Sequence, residues 1–288
     1  MKIIAFETDN GPHLGVVEND RVIDLNAAEP KLPTDLGEVL RKSNGSLSPL
    51  ADIARHAPAS SHRPLEAIKY ALPVARPGKI LCLGLNYLEH AKEGGHSKPD
   101  FPSIFMRCRT SLTPHEGEIV RPKVSETLDY ECELVAVIGK PARHMTAANA
   151  LSCVAGYSCF NDGSVRQFQR RTSQWDMGKN FDKTGGFGPW MVSADELPPG
   201  AEGLPIQSRL NGSVMQSDNT ANMMFPVAAA IVDITQAMTL EPGDLIAMGT
   251  PSGVGHARKP PVWMKGGDTI EIEIGDIGVL VNKVVDEA

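Results

Sequence analysis

The segment LDYECELVAVIGK (residues 128–140) combines a long apolar run with two carboxylates, Glu131 and Glu133. Because successive side chains of a strand point to opposite faces, the two glutamates share one face with Val135 and Val137. Both faces end in apolar residues, so we expect a strand that is covered on both sides. Two neighbouring carboxylates in such a place lose hydration and repel each other. Either one of them takes a proton or a cation lies between them.

A simpler interpretation of the same pattern is a strand that frays near Asp129, with both glutamates solvated, because glutamate is rarely buried. The presence of a third carboxylate favours the interpretation with a bound cation. Asp162 follows another apolar run in AGYSCFNDG, and a strand ending there would complete a cluster of three. Oxygen ligands of this kind suit Mg²⁺ or Mn²⁺, whereas zinc and copper favour histidine and cysteine. The pattern therefore predicts a hard-metal site on Glu131, Glu133 and Asp162.

Short strand-like runs alternate with glycine and proline turns along most of the chain, which predicts a mixed α/β, strand-rich fold. We expect a small N-terminal α+β module over residues 1–72 and a larger catalytic domain over residues 73–288, joined near the segment ALPVARPGK. The predicted strands include KIIAF, KILCLGL, ELVAVIG, PIQSRL, DLIAMG and TIEIEI. The predicted helices include LGEVLRK, NYLEHAKE, TAANALSCV and FPVAAAIVDITQAM. The pair Asn211-Gly212 predicts a tight hairpin turn.

The charge balance argues against several classes of partner. The net charge is −7 and no block of lysine and arginine occurs, so neither nucleic acid nor an anionic membrane is an expected partner. The chain opens without an apolar signal segment and contains no run of about 18 apolar residues. The five cysteines form no C-x-x-C pair. We expect a cytoplasmic protein whose thiols are reduced and mostly buried.

Two further segments carry candidate catalytic residues. In GLNYLEHAKEGG, His90 and Glu93 are three positions apart and share one face if the segment is helical. A carboxylate beside an imidazole orients the ring and raises its basicity, as a general base requires. In QWDMGKNFD, Lys179 is a candidate for holding an anionic oxygen. A surface helix with scattered charges and a solvated lysine are the alternative interpretations of these two segments.

The glycine-rich segment GTPSGVG (residues 249–255) follows the predicted strand DLIAMG. It lacks the G-x-x-x-x-G-K-[ST] pattern of a phosphate loop. A dinucleotide turn opens a helix, and Pro260 and Pro261 prevent one here. A nucleotide-dependent oxidoreductase is therefore not expected. Backbone N–H groups of this loop and the hydroxyl of Thr250 suit a carboxylate instead.

Taken together and in this order, these segments resemble the fumarylacetoacetate hydrolase family. The segments are GLNYLEHAKE, LDYECELVAVIG, GYSCFNDGSVRQFQ, QWDMGKNFD, GFGPW, LEPGDLIAMGTPSGVG and GDTIEIEIGDIG. The resemblance implies a β-roll-like catalytic domain, a small N-terminal module as in bacterial members, and a homodimer. It also implies Mg²⁺ or Mn²⁺ on Glu131, Glu133 and Asp162.

The resemblance assigns roles to four more residues. His90 and Glu93 match the lid pair that activates a water or moves a proton. Lys179 matches the lysine beside the metal, and Thr250 matches the residue whose loop binds the substrate carboxylate. Arg107 in FMRCRTS stands where a lysine is common, and with Arg109 it predicts a contact to a second, distal carboxylate.

The implied substrates are small 2-oxo acids, 1,3-dioxo acids and dicarboxylates, in the catabolism of aromatic acids. The reactions that fit are isomerisation or decarboxylation of a 2-hydroxyhepta-2,4-diene-1,7-dioate-type diacid, C–C hydrolysis of an acylpyruvate, and decarboxylation of oxaloacetate. All of them pass through an enolate that a divalent metal stabilises. A non-catalytic protein that binds a small acid with a structural metal is the competing hypothesis.

Overall fold

The computed structural model describes residues 1–95, 97 and 99–288. The strands are β1 Lys2–Thr8, β2 Gly11–Glu18, β3 Arg21–Asp24, β4 His62–Pro64, β5 Lys69–Ala71, β6 Ile80–Gly84, β7 Ser103–Met106, β8 Leu112–Pro114, β9 Glu118–Arg121, β10 Leu128–Asp129, β11 Cys132–Ile138, β12 Val154–Asn161, β13 Ser164–Val165, β14 Gly185–Ser193, β15 Pro205–Leu210, β16 Ser213–Asn219, β17 Leu245–Ala247, β18 Thr269–Ile274 and β19 Gly278–Asp286. The α-helices are α1 Leu25–Ala28, α2 Leu36–Lys42, α3 Ser48–His56, α4 Leu88–Glu93, α5 Arg166–Gln169, α6 Asp176–Lys179 and α7 Val227–Ala237.

Two sheets carry most of the strands. The larger sheet has 12 strands in the order β4-β3-β2-β1-β14-β12-β11-β17-β6-β7, with β5 paired to β1 and β8 paired to β14. The second sheet has five strands in the order β16-β15-β18-β19-β9, and β10 pairs with β13 in a short ladder. The mixed, strand-rich fold predicted from the sequence is confirmed.

Strand β11 lies in the interior, and every one of its residues is buried. Leu134 and Ala136 on one face belong to a core shared with the five-stranded sheet and α7. Val135 and Val137 on the other face belong to a second core, shared with helices α2 and α3. The expectation that this strand is covered on both sides is confirmed, because two separate apolar layers pack against it.

The N-terminal residues extend the large sheet. Strand β1 pairs antiparallel with β14, with Ile3 opposite Met191. Leu36 and Leu50, on helices α2 and α3, are fully buried in the core that also holds Val135. Residues on both sides of position 72 therefore share a sheet and a core, and the domain boundary at that position stays a prediction.

Of two local predictions from the sequence, the hairpin turn is confirmed and a helix is wrong. Asn211 and Gly212 turn β15 into β16 with positive φ angles of 52° and 78°. The segment TAANALSCV forms only a 3-10 turn, Ala150–Cys153, instead of a helix.

Four cysteines are buried, Cys108 is exposed, and all five are free thiols. No helix among the described residues is long and apolar enough to span a membrane.

Candidate metal centre

Strand pairing brings the three predicted carboxylates together. Cys132 at the start of β11 is opposite Asn161 at the end of β12, so the residues just beyond this pair are neighbours. One oxygen from each of Glu131, Glu133 and Asp162 lies within 4.8 Å of the others. Glu131 precedes the regular ladder, and its carbonyl oxygen accepts a hydrogen bond of 2.9 Å from the N–H of Asp162. All three side chains are buried, so the solvated interpretation is wrong.

Two cations compensate part of this charge. The Nζ of Lys179 lies 2.7 Å from Glu131 Oε2 and 2.6 Å from Asp162 Oδ2. Arg166 Nη2 lies 2.6 Å from Glu131 Oε1, without the alignment of a hydrogen bond. Burial alone would raise the pKa of Glu131, but Arg166 and Lys179 outweigh it and hold the pKa well below its ordinary value. Lys179 stays charged, since Asp162 and Glu131 raise its pKa although burial acts in the opposite direction.

Glu133 is compensated far less than its neighbours. Its Oε2 accepts one hydrogen bond, of 2.9 Å, from the N–H of Gly249. No cationic side chain among the described residues forms an ion pair with it. Burial first, and then the charges of Asp162 and Glu131, raise its pKa well above the ordinary value. A buried carboxylate beside two others and without a cation of its own is the arrangement that a divalent ion relieves, so the three residues fit Mg²⁺ or Mn²⁺.

Lys179 owes its position to a short helix that packs closely. It ends α6, and the preceding Gly178 leaves no room for a side chain, because a Cβ there would lie 2.4 Å from the backbone nitrogen of Gln169. Helix α6 therefore rests directly on α5, the helix that begins with Arg166. The two helices deliver one cation each to Glu131.

Arg107 requires a correction. Its side chain is completely buried, and Nη1 donates to Asp162 Oδ1 at 2.5 Å and to the carbonyl of Gly163 at 3.0 Å. Nε donates to Ser111 and Nη2 to Thr184. The prediction that Arg107 binds a distal substrate carboxylate is wrong, because its guanidinium faces into the protein. It holds Asp162 in place from behind.

The predicted lid pair, His90 and Glu93, lies beside the acidic centre. His90 is buried on helix α4, and its Nδ1 is 3.4 Å from Glu93 Oε2. The carboxylate of Glu93 also accepts from the N–H of Gly253, at 3.0 and 3.2 Å. The loop that follows β17 thereby ties the lid helix to the frame. The imidazole lines the same cavity as Glu131 and Glu133, an arrangement suited to proton transfer.

Thr250 lies on that same loop and lines the cavity. It is buried, and its Oγ1 accepts a hydrogen bond of 2.7 Å from Nε2 of Gln216. Because the amide occupies an acceptor position, the hydroxyl hydrogen is available to donate to an anionic oxygen. This placement is compatible with the carboxylate-binding role predicted for Thr250.

Three residues beside the centre were not predicted from the sequence: Asp129, Arg166 and His256. Asp129 is fully buried and binds Nε of Arg166 at 2.8 Å, and His256 lines the cavity. One signal was present, since Asp129, Glu131 and Glu133 recur at every second position. His256 has no such signal, because only the folding of its loop brings it to the site.

The cavity has a volume of about 190 Å³, room for about six waters or one small acid. Its apolar wall includes Leu83, Phe105 and Trp175. The rings of Phe105 and Trp175 meet edge to face with centroids 5.7 Å apart. The ring of Trp175 lies against Gly84, where a Cβ would come within 2.1 Å of it. Carboxylates and cations thus occupy one side of the cavity and flat apolar groups another.

The chain is similar in sequence and structure to several known proteins. Residues 79–285 match the family described as fumarylacetoacetate (FAA) hydrolase C-terminal. The chain is 39% identical to the human mitochondrial oxaloacetate tautomerase FAHD2A over 99% of this chain and 92% of that protein. It matches a fumarylacetoacetate hydrolase from Exiguobacterium antarcticum with a TM-score of 0.86 and 32% identity, covering 100% of both chains. A 2-hydroxyhepta-2,4-diene-1,7-dioate isomerase from Mycobacterium marinum matches with a TM-score of 0.79 and 27% identity, covering 100% of this chain and 99% of that one.

Proposed function

The chain belongs to the fumarylacetoacetate hydrolase family and is an enzyme of that family, and from this premise we propose that it is a divalent-metal-dependent tautomerase of oxaloacetate-type 2-oxo dicarboxylic acids. The observation that carries the proposal is the position of His90. Its imidazole is paired with Glu93 and lines one cavity with the acidic centre. Keto–enol interconversion needs a proton-carrying group beside an activated 2-oxo acid, and no bond to carbon other than C–H has to break.

The acidic centre supplies the electrophilic half of this chemistry. Glu131, Glu133 and Asp162 would hold the cation. When bound, a divalent cation supplies Lewis acidity, which lowers the free-energy cost of negative charge on a 2-oxo group. The buried ammonium of Lys179, bound to Glu131 and Asp162, would add a fixed positive charge beside the cation and so stabilise a developing oxyanion. Thr250 is placed to donate its hydroxyl to a substrate carboxylate.

The lid pair supplies the proton-transfer half. Glu93 accepts from Gly253 and faces Nδ1 of His90, so the ring is oriented from the side opposite Nε2. In the keto-to-enol direction His90 takes a proton from the carbon next to the ketone. Helix α4 is tied to the loop after β17 through the N–H of Gly253, and a helix held there would limit the access of water to the cavity, which favours tautomerisation over hydrolysis.

The experiment follows the enol absorbance of freshly dissolved oxaloacetate with enzyme and Mg²⁺, Mn²⁺ or EDTA, while pyruvate is assayed separately. We expect the enol band to relax faster than in buffer, dependent on the metal, and without pyruvate. Stoichiometric pyruvate would identify a decarboxylase. Cleavage of acylpyruvates with no effect on oxaloacetate would identify a hydrolase. Bound metal without turnover of any of these acids would contradict the proposal.

A second candidate is isomerisation of a 2-hydroxyhepta-2,4-diene-1,7-dioate-type diacid. The flat apolar wall of Phe105 and Trp175 favours it, because a conjugated chain longer than oxaloacetate would lie against these rings. The isomerase from Mycobacterium marinum is the relative that motivates it. The same assay with the dienoic diacid separates the two candidates. A homodimer and a cytoplasmic location stay predictions.

A further inference from the structure

We propose that His256 is a second proton-carrying residue of this site, which contacts the substrate from the rigid frame while His90 contacts it from the lid. The inference rests on the proposed tautomerase function and deepens it, because it names the group that completes the proton transfer. Its basis is the place of the His256 ring between a buried carboxylate and the cavity.

The backbone around His256 is fixed by close packing. The residue lies on the 3-10 turn Gly255–Ala257. A Cβ at Gly255 would lie 2.0 Å from the carbonyl oxygen of Val262 and 2.5 Å from Asp129 Oδ1. The turn therefore rests directly on Asp129, which brings His256 next to this carboxylate.

Asp129 is satisfied without the imidazole. Its Oδ1 accepts from the N–H groups of Tyr130 and Gly255, at 2.9 and 2.8 Å. Its Oδ2 accepts from Nε of Arg166 and from the N–H of His256, at 2.8 and 3.0 Å. These four donors already satisfy both oxygens of the carboxylate, and the imidazole adds a fifth, longer contact to Oδ2, at 3.4 Å. The charge of Asp129 therefore rests mainly on the four donors, and the longer contact orients the ring.

The orientation of the ring follows from its contacts. Nδ1 lies 3.4 Å from Asp129 Oδ2 and has no closer hydrogen-bond partner among the described residues. Catalytic hydrogen bonds are often this long before substrate binds. Nε2, on the opposite edge of the ring, has no hydrogen bond to any described residue, and the side chain lines the cavity with Glu131 and Lys179. A carboxylate at Nδ1 favours the tautomer whose Nε2 accepts a proton.

The site thus holds two histidines that are each oriented by a carboxylate. In the enol-to-keto direction the enol O–H bond breaks, and its proton passes to Nε2 of neutral His256 while its electron pair forms the carbonyl. The electron pair of the carbon–carbon double bond takes a proton from His90, which starts this direction as an imidazolium, and forms the new C–H bond. Solvent then returns both rings to their starting protonation, so atoms and electrons balance.

The test compares His256→Gln, His256→Ala and His90→Gln with wild type, and uses His56→Gln, an exposed histidine on α3, as the matched control. Relaxation of enol oxaloacetate with Mg²⁺ gives kcat and KM, calorimetry gives Mg²⁺ affinity, and thermal unfolding gives Tm. We expect His256→Gln to lower kcat by about 10²–10⁴, with KM, Mg²⁺ affinity and Tm close to wild type. Added imidazole should restore part of kcat to His256→Ala, because the truncation leaves room for it.

A readout independent of turnover is the ¹⁵N resonance of the His256 ring in the Mg²⁺-loaded protein, titrated with oxalate, a planar dianion that resembles an enolate. We expect the Nε2 signal to shift on titration and the His56 signal to stay. An unchanged kcat in His256→Gln, or a kcat loss accompanied by lower Tm and Mg²⁺ affinity and no imidazole rescue, would overturn the inference. Wild type that does not accelerate enol loss would contradict the proposed function instead. The oxalate titration would then be the remaining test of the role of His256. A His256 resonance that does not shift would overturn the inference.

Discussion

The acidic centre and the lid helix face one cavity but are held in place very differently. Lys179, Asp162 and Glu131 have side-chain exposures of 1%, 0% and 6%, and charged neighbours contact each of them. On the lid, Glu93 is 24% exposed and His90 is 10% exposed. Among the described residues, the side chains of the lid pair make one long contact with each other and accept from one backbone N–H, that of Gly253.

This difference separates two kinds of contribution. Charges buried in the centre are needed for folding as well as for function, because removing one of them leaves its partners uncompensated. The lid residues carry few contacts that the folded state needs, so changing them affects the reaction while stability is kept. Substitutions in the two regions are therefore expected to separate stability, metal binding and rate.

Asp162→Ala is expected to have the largest effect. It leaves the buried cations of Arg107 and Lys179 without their shared carboxylate, which costs about 3–5 kcal/mol of unfolding free energy. Activity should be lost as well. Denaturant unfolding with EDTA measures the change. Asp52→Ala, which breaks an exposed pair with Arg55, is the control and should cost at most about 1 kcal/mol. Equal costs for the two variants would refute the comparison.

Glu133→Gln tests the centre from the opposite direction. Glu133 has no ion-pair partner among the described residues, and its neighbours Asp162 and Glu131 repel it. We expect the metal-free protein to be as stable as wild type or more stable, because the amide removes that repulsion. Mg²⁺ affinity should fall by more than about 100-fold, and turnover with it. Calorimetry and unfolding in EDTA measure both. A loss of stability like that of Asp162→Ala would be the contrary result.

Glu93→Gln addresses the lid. The amide keeps the shape of the side chain but removes the charge that orients and supports His90, so kcat should fall by about 10²–10⁴. The free energy of unfolding should stay within about 0.5 kcal/mol of wild type, and Mg²⁺ affinity should not change. The enol assay, calorimetry and denaturant unfolding check these values. A lower Mg²⁺ affinity in Glu93→Gln would contradict the prediction, because it would show that Glu93 contributes to metal binding.

His115→Gln changes a residue outside both regions, so its effect on turnover should be the smallest. It shows how much of the pH dependence of stability arises away from the site. Nδ1 of His115 accepts from the N–H of Val281, the ring meets Tyr70 edge to face, and burial lowers its pKa to about 4. Between about pH 4 and 6.5 the unfolded chain binds a proton that the folded protein does not, so wild type loses stability as the pH falls through this range. The total is at most about 3 kcal/mol, since one pKa unit corresponds to about 1.4 kcal/mol. In His115→Gln this part of the pH dependence should disappear, and turnover at pH 7 should not change. Identical pH profiles of stability would refute the assignment.

Most strands and the three carboxylates were predictable because local chemistry specifies them. A continuous apolar run marked β11, alternating apolar residues marked β18, and Asn211-Gly212 marked a hairpin turn. Two glutamates on a strand buried on both faces required charge compensation. The third carboxylate, Asp162, could be recognised because it follows another apolar run. The predicted helix at TAANALSCV was wrong, since only a single 3-10 turn forms there.

By itself the sequence determined the strand-rich class, the two apolar layers around β11 and the acidic residues of the centre, because these follow from side-chain period and charge. Only the tertiary structure decided which cations serve those carboxylates. Arg107 turns inward onto Asp162. Arg166, which begins α5 directly after β13, binds Asp129 on β10, the strand that pairs with β13. His256 reaches the cavity through a loop distant in sequence. Contacts of this kind depend on the direction in which a side chain leaves the backbone, and neither residue type nor spacing encodes that direction.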